Sequence, residues 1–415
     1  MNEAQANQIA QAMTEAGLVG ASELDLLRDF CGRLIENGLP ISRANVLIDT
    51  LHPIHEGRVF RWRCDESDQA PMVEYGRSTQ GGQVAQSWQR SPFYALVQSG
   101  ENLIRRSLKG DGAFDFPILD DLKAEGQTDF VAMIHRFAAD GVIGEMDCVY
   151  SSWATDHPDG FSDAQVDALC RLVPSLALAA KCTSLARIAE TLVETYLGRD
   201  AGRRVLSGRI ERGVTDRIEA VLWFSDLRSF THITETAEPE QIIPFLNDYA
   251  EAIISSVHEA GGDVLKLIGD GTLAIFNADR SQDACRCALH AEKLMRARVA
   301  DLNAERTAEG LPVTEAYLGL HIGEVFYGNI GSHERLDFTV VGPAVNEATR
   351  IAALCRSVEK DVLISSAFAA AAAEAERQRI VSVGRFALKG IKRPRELFTL
   401  EPEDEASLQI VQARG

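Results

Sequence analysis

Residues 261–276 read GGDVLKLIGDGTLAIF. Alternating and β-branched apolar residues predict two short strands, Val264–Ile268 and Thr272–Phe276, closed by a tight turn at Gly269-Asp270-Gly271. A carboxylate at the tip of a glycine turn stands outside the core, with backbone on both sides open to a ligand. Lys266 lies four residues earlier. Four is an even step, so Lys266 and Asp270 share a face if the strand continues to the turn. An Asp-Gly turn is also ordinary hairpin punctuation that needs no function. The rest of the chain decides its meaning.

The 415 residues are enough for two or three domains, each with its own core. A net charge of −19 argues against nucleic acid or an anionic membrane surface as the main partner. It leaves room for a polyphosphate, because a metal ion can supply local positive charge. No apolar run approaches the ~20 residues that a membrane span needs, so no membrane span is expected. The start, MNEAQANQIAQAMTEAG, lacks the basic beginning and apolar centre of a signal peptide. Eight cysteines are scattered, and the nearest pair, Cys285 and Cys287, is too close for a CxxC motif. Reduced thiols in a cytoplasmic protein are the expectation.

Taken in order, residues 1–20 form a helical or loosely ordered lead-in. Leu26, Leu27, Phe30, Leu34 and Ile35 then recur at helical spacing. Strand character follows at Ala44–Leu51, Arg58–Arg63, Asn102–Ser107, Phe130–Phe137 and Glu145–Ser151. The segment closes on Gly160-Phe161-Ser162-Asp163 and a helix with Val166, Leu169, Val173 and Leu176 on one face. Ser162 is a good N-cap, with Gln165 at the capping-box position. This order of elements and the GFSDAQ entry resemble a GAF-type sensory domain over residues 21–182. The nucleotide-binding signature of cyclic-nucleotide GAF modules is not visible. His135, Cys148, Trp153 and the pair His52/His55 could line a pocket or hold a metal. The favoured reading is core or surface residues without a ligand role, and no ligand is assigned.

Between Lys181 and Leu197, apolar residues fall at Leu185, Ile188 and Leu192, the spacing of a short coiled-coil seam or of a capping helix. Residues 183–214 are read as a helical linker, broken by Gly198, Gly202, Gly208 and Gly213. A catalytic domain is expected over 215–402, and a tail over 403–415.

That domain opens with Ile218–Phe224, IEAVLWF, a central strand buried on both faces. It ends in Ser225-Asp226-Leu227-Arg228-Ser229-Phe230-Thr231, a carboxylate at a strand end before a small-residue turn into a helix. The free N–H groups of such a helix start can face an anion that a cation brings. Asp226 and Asp270, both at strand-end turns, make a hard oxygen site suited to Mg²⁺ or Mn²⁺ rather than zinc. Ala316–Val325 carries small residues where a sheet must approach something closely. Asp337 opens a strand, and after a Gly-Pro turn Asn346 and Arg350 lie four apart on one helix face. Lys389 sits at a glycine turn, followed by Gly390.

The segments FSDLRSFT, LKLIGDG, LDFTVVGPAVNEATR and LKGI resemble, in order and spacing, the motifs of the class III adenylate/guanylate cyclase catalytic domain. The resemblance implies an α+β fold: a ferredoxin-like βαββαβ core with a C-terminal extension, acting as a homodimer with active sites at the interface. It implies that Asp226, Asp270 and the Leu227 carbonyl hold two divalent metal ions, Mg²⁺ or Mn²⁺. The turn with Arg228, Ser229, Phe230 and Thr231 would cradle a triphosphate, Ser229 replacing the usual glycine mildly. Lys266 and Asp337 match the pair that reads adenine in adenylate cyclases. Asn346 would orient the ribose, Arg350 would meet charge developing on the α-phosphate, and Lys389 would neutralise the β- and γ-phosphates. The expected reaction converts ATP to 3′,5′-cyclic AMP and pyrophosphate by in-line attack of the 3′-hydroxyl. Lys266 and Asp270 of one chain would then serve different active sites, and an unknown signal at the N-terminal domain would regulate the dimer. Two rivals stand beside this reading: a cyclase for GTP or a pyrimidine nucleotide, and a catalytically silent nucleotide-binding module.

Overall fold

A computed structural model describes residues 1–63, 70–76, 82–110, 113–137, 143–144, 146–277, 280–391 and 393–401. The tail 403–415 and Glu145, the first residue of one expected strand, lie outside the described residues. The chain divides into two compact units, Met1–Leu192 and Val193–Gly415.

The first unit starts with α1 (Glu3–Leu18) and α2 (Glu23–Glu36). A reciprocal capping box between Asn2 and Gln5, at 2.8 and 2.9 Å, makes the lead-in a full helix that buries Ile9 and Met13. Three strands follow, β1 (Arg43–Asp49), β2 (Gly57–Arg63) and β3 (Met72–Tyr75). Then come α3 (Gly82–Gln89), α4 (Pro92–Ser99), β4 (Leu103–Ser107) and α5 (Pro117–Ala124). The unit's last elements are β5 (Asp129–Arg136), β6 (Cys148–Thr155) and α6 (Asp163–Leu197). The strands form one antiparallel sheet in the order β3-β2-β1-β6-β5-β4. One face packs on α1, α2 and α6 around Phe30 and Trp153, and the other on α4 and α5 around Phe93, Leu119 and Tyr150.

Three expectations need correction here. The strand expected at Glu145–Ser151 is β6, which starts at Cys148 and runs on to Thr155. Every residue of it is buried, so no alternation marks its ends. Next, α6 is one helix through Pro174 to Leu197, with Leu172, Val173, Leu176 and Ala177 buried on both sides of the proline. The expected seam is part of the first unit's core: Ile188 is buried, and Leu185 and Leu192 pack against that cluster. Lastly, among the described residues α6 is long and apolar enough to cross a membrane, contrary to the reading of the sequence, although Val166, Leu169 and Val173 are core residues. Its entry keeps half of the expected capping box, with Ser162 N–H donating to Gln165 Oε1 at 2.8 Å.

In the second unit, α7 (Arg199–Leu206) precedes the long strand β7 (Thr215–Leu227), then α8 (Phe230–Thr236) and α9 (Pro239–Glu259). The hairpin β8 (Asp263–Ile268) and β9 (Gly271–Phe276) leads to α10 (Ser281–Ala308), β10 (Ala316–Gly331) and β11 (Leu336–Val341). The remainder is α11 (Pro343–Val358), β12 (Val362–Ser365), α12 (Ser366–Ala371), α13 (Glu374–Arg377), β13 (Ile380–Phe386) and β14 (Arg395–Leu400). The sheet runs β13-β14-β12-β10-β7-β9-β8, with β11 paired to β10. Within it β10-β7-β9-β8 places the four strands of a βαββαβ stretch in the order 4-1-3-2. The apolar run in β7 is explained by its two faces. Val221 and Trp223 pack with α9 and α10, while Ala220 and Leu222 pack with α11 and Tyr327.

Candidate active site

Asp226, Asp270 and Lys389 stand at or near the ends of elements, while Lys266 lies within β8 and Arg350 half-way along α11. The β8–β9 hairpin closes from Ile268 to Gly271, so the turn is the two residues Gly269 and Asp270, one shorter than expected. Gly269 has φ +65°, the positive value that the first loop position of a II′ turn requires. Asp270 therefore projects beyond the sheet. Asp226 reaches the same place from the end of β7, and the two carboxyls share a hydrogen bond. Burial first, then the charge of Asp270, pushes the Asp226 carboxyl up to about 6. No described cation is paired with either residue, and among the described residues no three metal-binding side chains cluster. Two oxygen donors and uncompensated negative charge fit a hard divalent ion of the magnesium type. Such an ion takes one or two carboxylates and fills its other positions from backbone, substrate and water oxygens.

The even-step reasoning about Lys266 and Asp270 fails. β8 stops at Ile268, and Asp270 is a turn residue to which the strand period does not extend. Lys266 turns instead to Asp337 at the start of β11, and its ammonium contacts that carboxylate. The pair lies on the wall of a cavity of about 690 Å³, beside Ile254, His258 and Leu336. Both side chains are nearly half exposed, so their pairing contributes at most about 1 kcal/mol. A ligand offering one acceptor and one donor can replace it at little cost.

The turn after β7 is tighter than glycine-to-serine exchange implied. Ser229 has φ +57° and ψ +25°, left-handed backbone that costs a non-glycine residue on the order of 1 kcal/mol. The Arg228 N–H is committed to the Glu315 carbonyl at 2.7 Å. That leaves the start of α8, whose first N–H groups have no intrahelical partner and no cap from Ser229. The Arg228 guanidinium lies over the Tyr317 ring, 5.9 Å from its centroid.

Asn346 and Arg350 are both on α11, which is seated on the glycines of β10. A Cβ on Gly319 would lie 2.6 Å from the Ala348 carbonyl oxygen and the Ala352 nitrogen, which is the close approach that the small residues of this strand foretold. With Gly390, Ile391 and Arg395 they surround a cavity of about 540 Å³. A Cβ on Gly390 would be 3.5 Å from the Arg350 guanidinium, so the turn holding exposed Lys389 lies against that residue. Arg350 and Lys389 make no ion pair with any described residue.

Residues 215–402 match the sequence profile of the Adenylate and Guanylate cyclase catalytic domain. This segment belongs to that family. Within it the chain is similar to an adenylate cyclase of Anabaena cylindrica, 38% identical over 160 residues, covering 38% of this chain and 31% of that protein. The chain spans about a third of the length of the curated relatives it matches. Among solved structures, the adenylyl cyclase CyaB from P. aeruginosa is 26% identical with a TM-score of 0.43, covering 46% of this chain and 98% of that one. The guanylyl cyclase Cya2 is 31% identical with a TM-score of 0.41, covering 46% and 95%.

Outside the cyclase domain, the candidates of the first unit do not converge. Trp153 is core beside Phe30, and Cys148 is buried in the opposite cluster. His135 is mostly buried, its Nδ1 has no hydrogen-bond partner, and burial lowers its pKa. His52 and His55 stack at 4.8 Å, and His55 Nε2 meets Glu74 at 3.0 Å. None of the five lines this unit's cavity of about 500 Å³. That cavity is lined instead by Arg43 and Arg61 of the strands and by Arg90, which the sequence reading passed over. The only signal was two-residue spacing, with Arg43, Asn45 and Leu47 facing one side of β1.

Proposed function

We propose that the cyclase domain converts ATP to 3′,5′-cyclic AMP and pyrophosphate. The observation carrying this reading is the contact between Lys266 and Asp337 on a cavity wall. A lysine donates to the adenine ring nitrogen N1, and an aspartate accepts from the 6-amino group; guanine, with a 6-oxo group and a protonated N1, offers the opposite pattern. Exchanging a half-exposed ion pair for the base edge keeps both charges hydrogen-bonded. Asp226, Asp270 and the Leu227 carbonyl would hold two divalent ions. Bound there, these supply Lewis-acid stabilisation of the attacking and leaving oxygens. The N–H groups of Ser229, Phe230 and Thr231 receive the triphosphate, and Lys389 neutralises its β and γ groups. Asn346 fixes the ribose so that O3′ faces the α-phosphorus in line. The O3′–P bond forms, the O3′ proton leaves, and the bond from phosphorus to the bridging oxygen of pyrophosphate breaks. Arg350 meets the charge that grows on the α-phosphate oxygens in that step.

Two features extend the reading. Lys266 and Asp270 are four residues apart yet take separate partners, as expected if the sites are shared between the chains of a homodimer. The first unit, GAF-like in its order of elements, would then alter dimer geometry in response to a signal. A cytoplasmic setting agrees with the seven described cysteines, all free thiols. The test is complementation. Asp226→Ala and Arg350→Ala chains should each be inactive alone, and each mixed dimer should regain one of its two sites, so that an equimolar mixture recovers up to about a quarter of wild-type turnover. Mixed dimers shown to form yet remaining inactive would contradict the shared site.

A further inference from the structure

The cavity of the first unit carries positive charge that nothing described in the fold neutralises. Its floor is one face of the sheet. Asn45 of β1 is in register with Arg61 of β2 on one side and with Ser152 of β6 on the other, and Arg43 lies two residues before Asn45. Its roof comes from the short helices, chiefly Trp88, Phe93 and Ile118. A volume of about 500 Å³ is in the range of small-molecule sites.

The three guanidiniums differ in what they touch. Arg43 is tied to Glu125 at 2.7 Å. Arg61 and the exposed Arg90 at the rim have no hydrogen bond or ion pair from their side chains to any described residue. Among the described residues Asp121 is the one acid on the wall, and Arg43 alone of the three guanidiniums has a carboxylate partner. Arg61 is partly buried, and burial together with the neighbouring Arg43 charge disfavours its cationic form. A partly desolvated guanidinium without an anion is unfavourable, and its planar fork matches carboxylate or phosphate oxygens. Asn45 donates its amide to Ser152 Oγ at 3.1 Å, which leaves its carbonyl oxygen to accept from a ligand.

We propose that this cavity binds a small organic anion, a carboxylate or phosphate held between Arg61 and Arg90, with an apolar or aromatic body against Trp88 and Phe93. Nothing in this requires the second unit to be catalytic.

The probes are 1-naphthoate, 1-naphthyl phosphate and neutral 1-naphthalenemethanol, titrated calorimetrically into the full chain. At least one anion should bind at one site per chain, at least about tenfold tighter than the neutral alcohol. Arg61→Met should weaken that anion about tenfold or more and leave the alcohol unchanged, while Arg61→Lys should retain part of the affinity. Preference for the phosphate or the carboxylate identifies the headgroup. Equal binding of all three probes, binding of none, or unaltered anion binding by a folded Arg61→Met chain would overturn the proposal. If Arg61→Met does not fold, Arg90→Met serves the same comparison, with the same loss expected and the same invariance overturning it.

Discussion

The two units expose charge in different ways. In the cyclase domain Asp270 and Lys389 stand on turns, Asp226 stands one residue before the end of β7, and Arg350 lies half-way along α11. In the first unit Arg43 opens β1 and Arg61 lies within β2, on a sheet face roofed by helices. A charge on a turn needs only its own few residues to be presented. A charge on a sheet face needs neighbouring strands in register and a roof above them. Substitutions on the turns should therefore remove chemistry while sparing the fold, and substitutions in the supporting strands should do the reverse.

The largest effect expected is on turnover. Asp226→Ala should lower the rate of cyclic nucleotide formation by about a thousandfold or more. Its thermal unfolding midpoint should stay the same or rise, since one of two repelling carboxylates is gone. A folded variant with near wild-type, metal-dependent activity would break the assignment.

The converse case is Gly319→Ala, which touches no substrate. Its methyl would press on the α11 backbone at Ala348 and Ala352, and overpacking of this kind costs about 1–3 kcal/mol. Denaturant unfolding should show that loss, and kcat should fall with it, because α11 carries Asn346 and Arg350. Unchanged stability would mean that α11 is not seated on the glycines.

A smaller effect comes from pH. The Asp226 carboxyl is raised from 3.8 to about 6, so between those values the folded chain holds a proton that the unfolded chain has released. Stability of the metal-free protein should fall as pH rises through that window, and the deficit should persist above it. Asp270→Asn should flatten the profile, and magnesium should stabilise more at pH 7.5 than at pH 5. Thermal scans with a chelator and with magnesium check both points; the opposite slope for the metal-free protein would contradict the pairing of Asp226 with Asp270.

The smallest is Ser229→Gly, which removes left-handed strain of up to about 1 kcal/mol. Part of that gain is offset by the greater freedom of glycine in the unfolded chain. A net stabilisation of a few tenths of a kcal/mol is expected, read as a shift in the unfolding midpoint, and a clear loss would mean that the serine is held by more than backbone.

The same contrast explains what was legible. Asp226 and Asp270 lie at strand ends and Asn346 and Arg350 on one helix, in contiguous motifs where turn chemistry and helix spacing are written in adjacent residues. The buried strand β7 was equally plain, because both of its faces are covered. The shared face of Lys266 and Asp270 did not follow because the strand period stops at Ile268 and Asp270 belongs to the turn. The continuity of α6 past Pro174 and the burial of Ile188 depend on a core that also draws on α1, α2 and β1, more than a hundred residues earlier in the chain. The arginine cavity was hidden for the same reason, since Asn45 and Arg61 become neighbours only through strand register.

The central claim is that Lys266 and Asp337 select adenine in a working cyclase. The direct measurement is turnover of the purified chain on ATP, GTP, CTP and UTP, each with Mg²⁺ and with Mn²⁺, with products identified by mass. Cyclic AMP as the dominant product, lost or broadened to other bases in Lys266→Ala, is the result predicted. Another cyclic nucleotide as the dominant product would overturn the base pocket while leaving the metal site standing, and no product from the dimeric chain under any condition would contradict the catalytic reading itself.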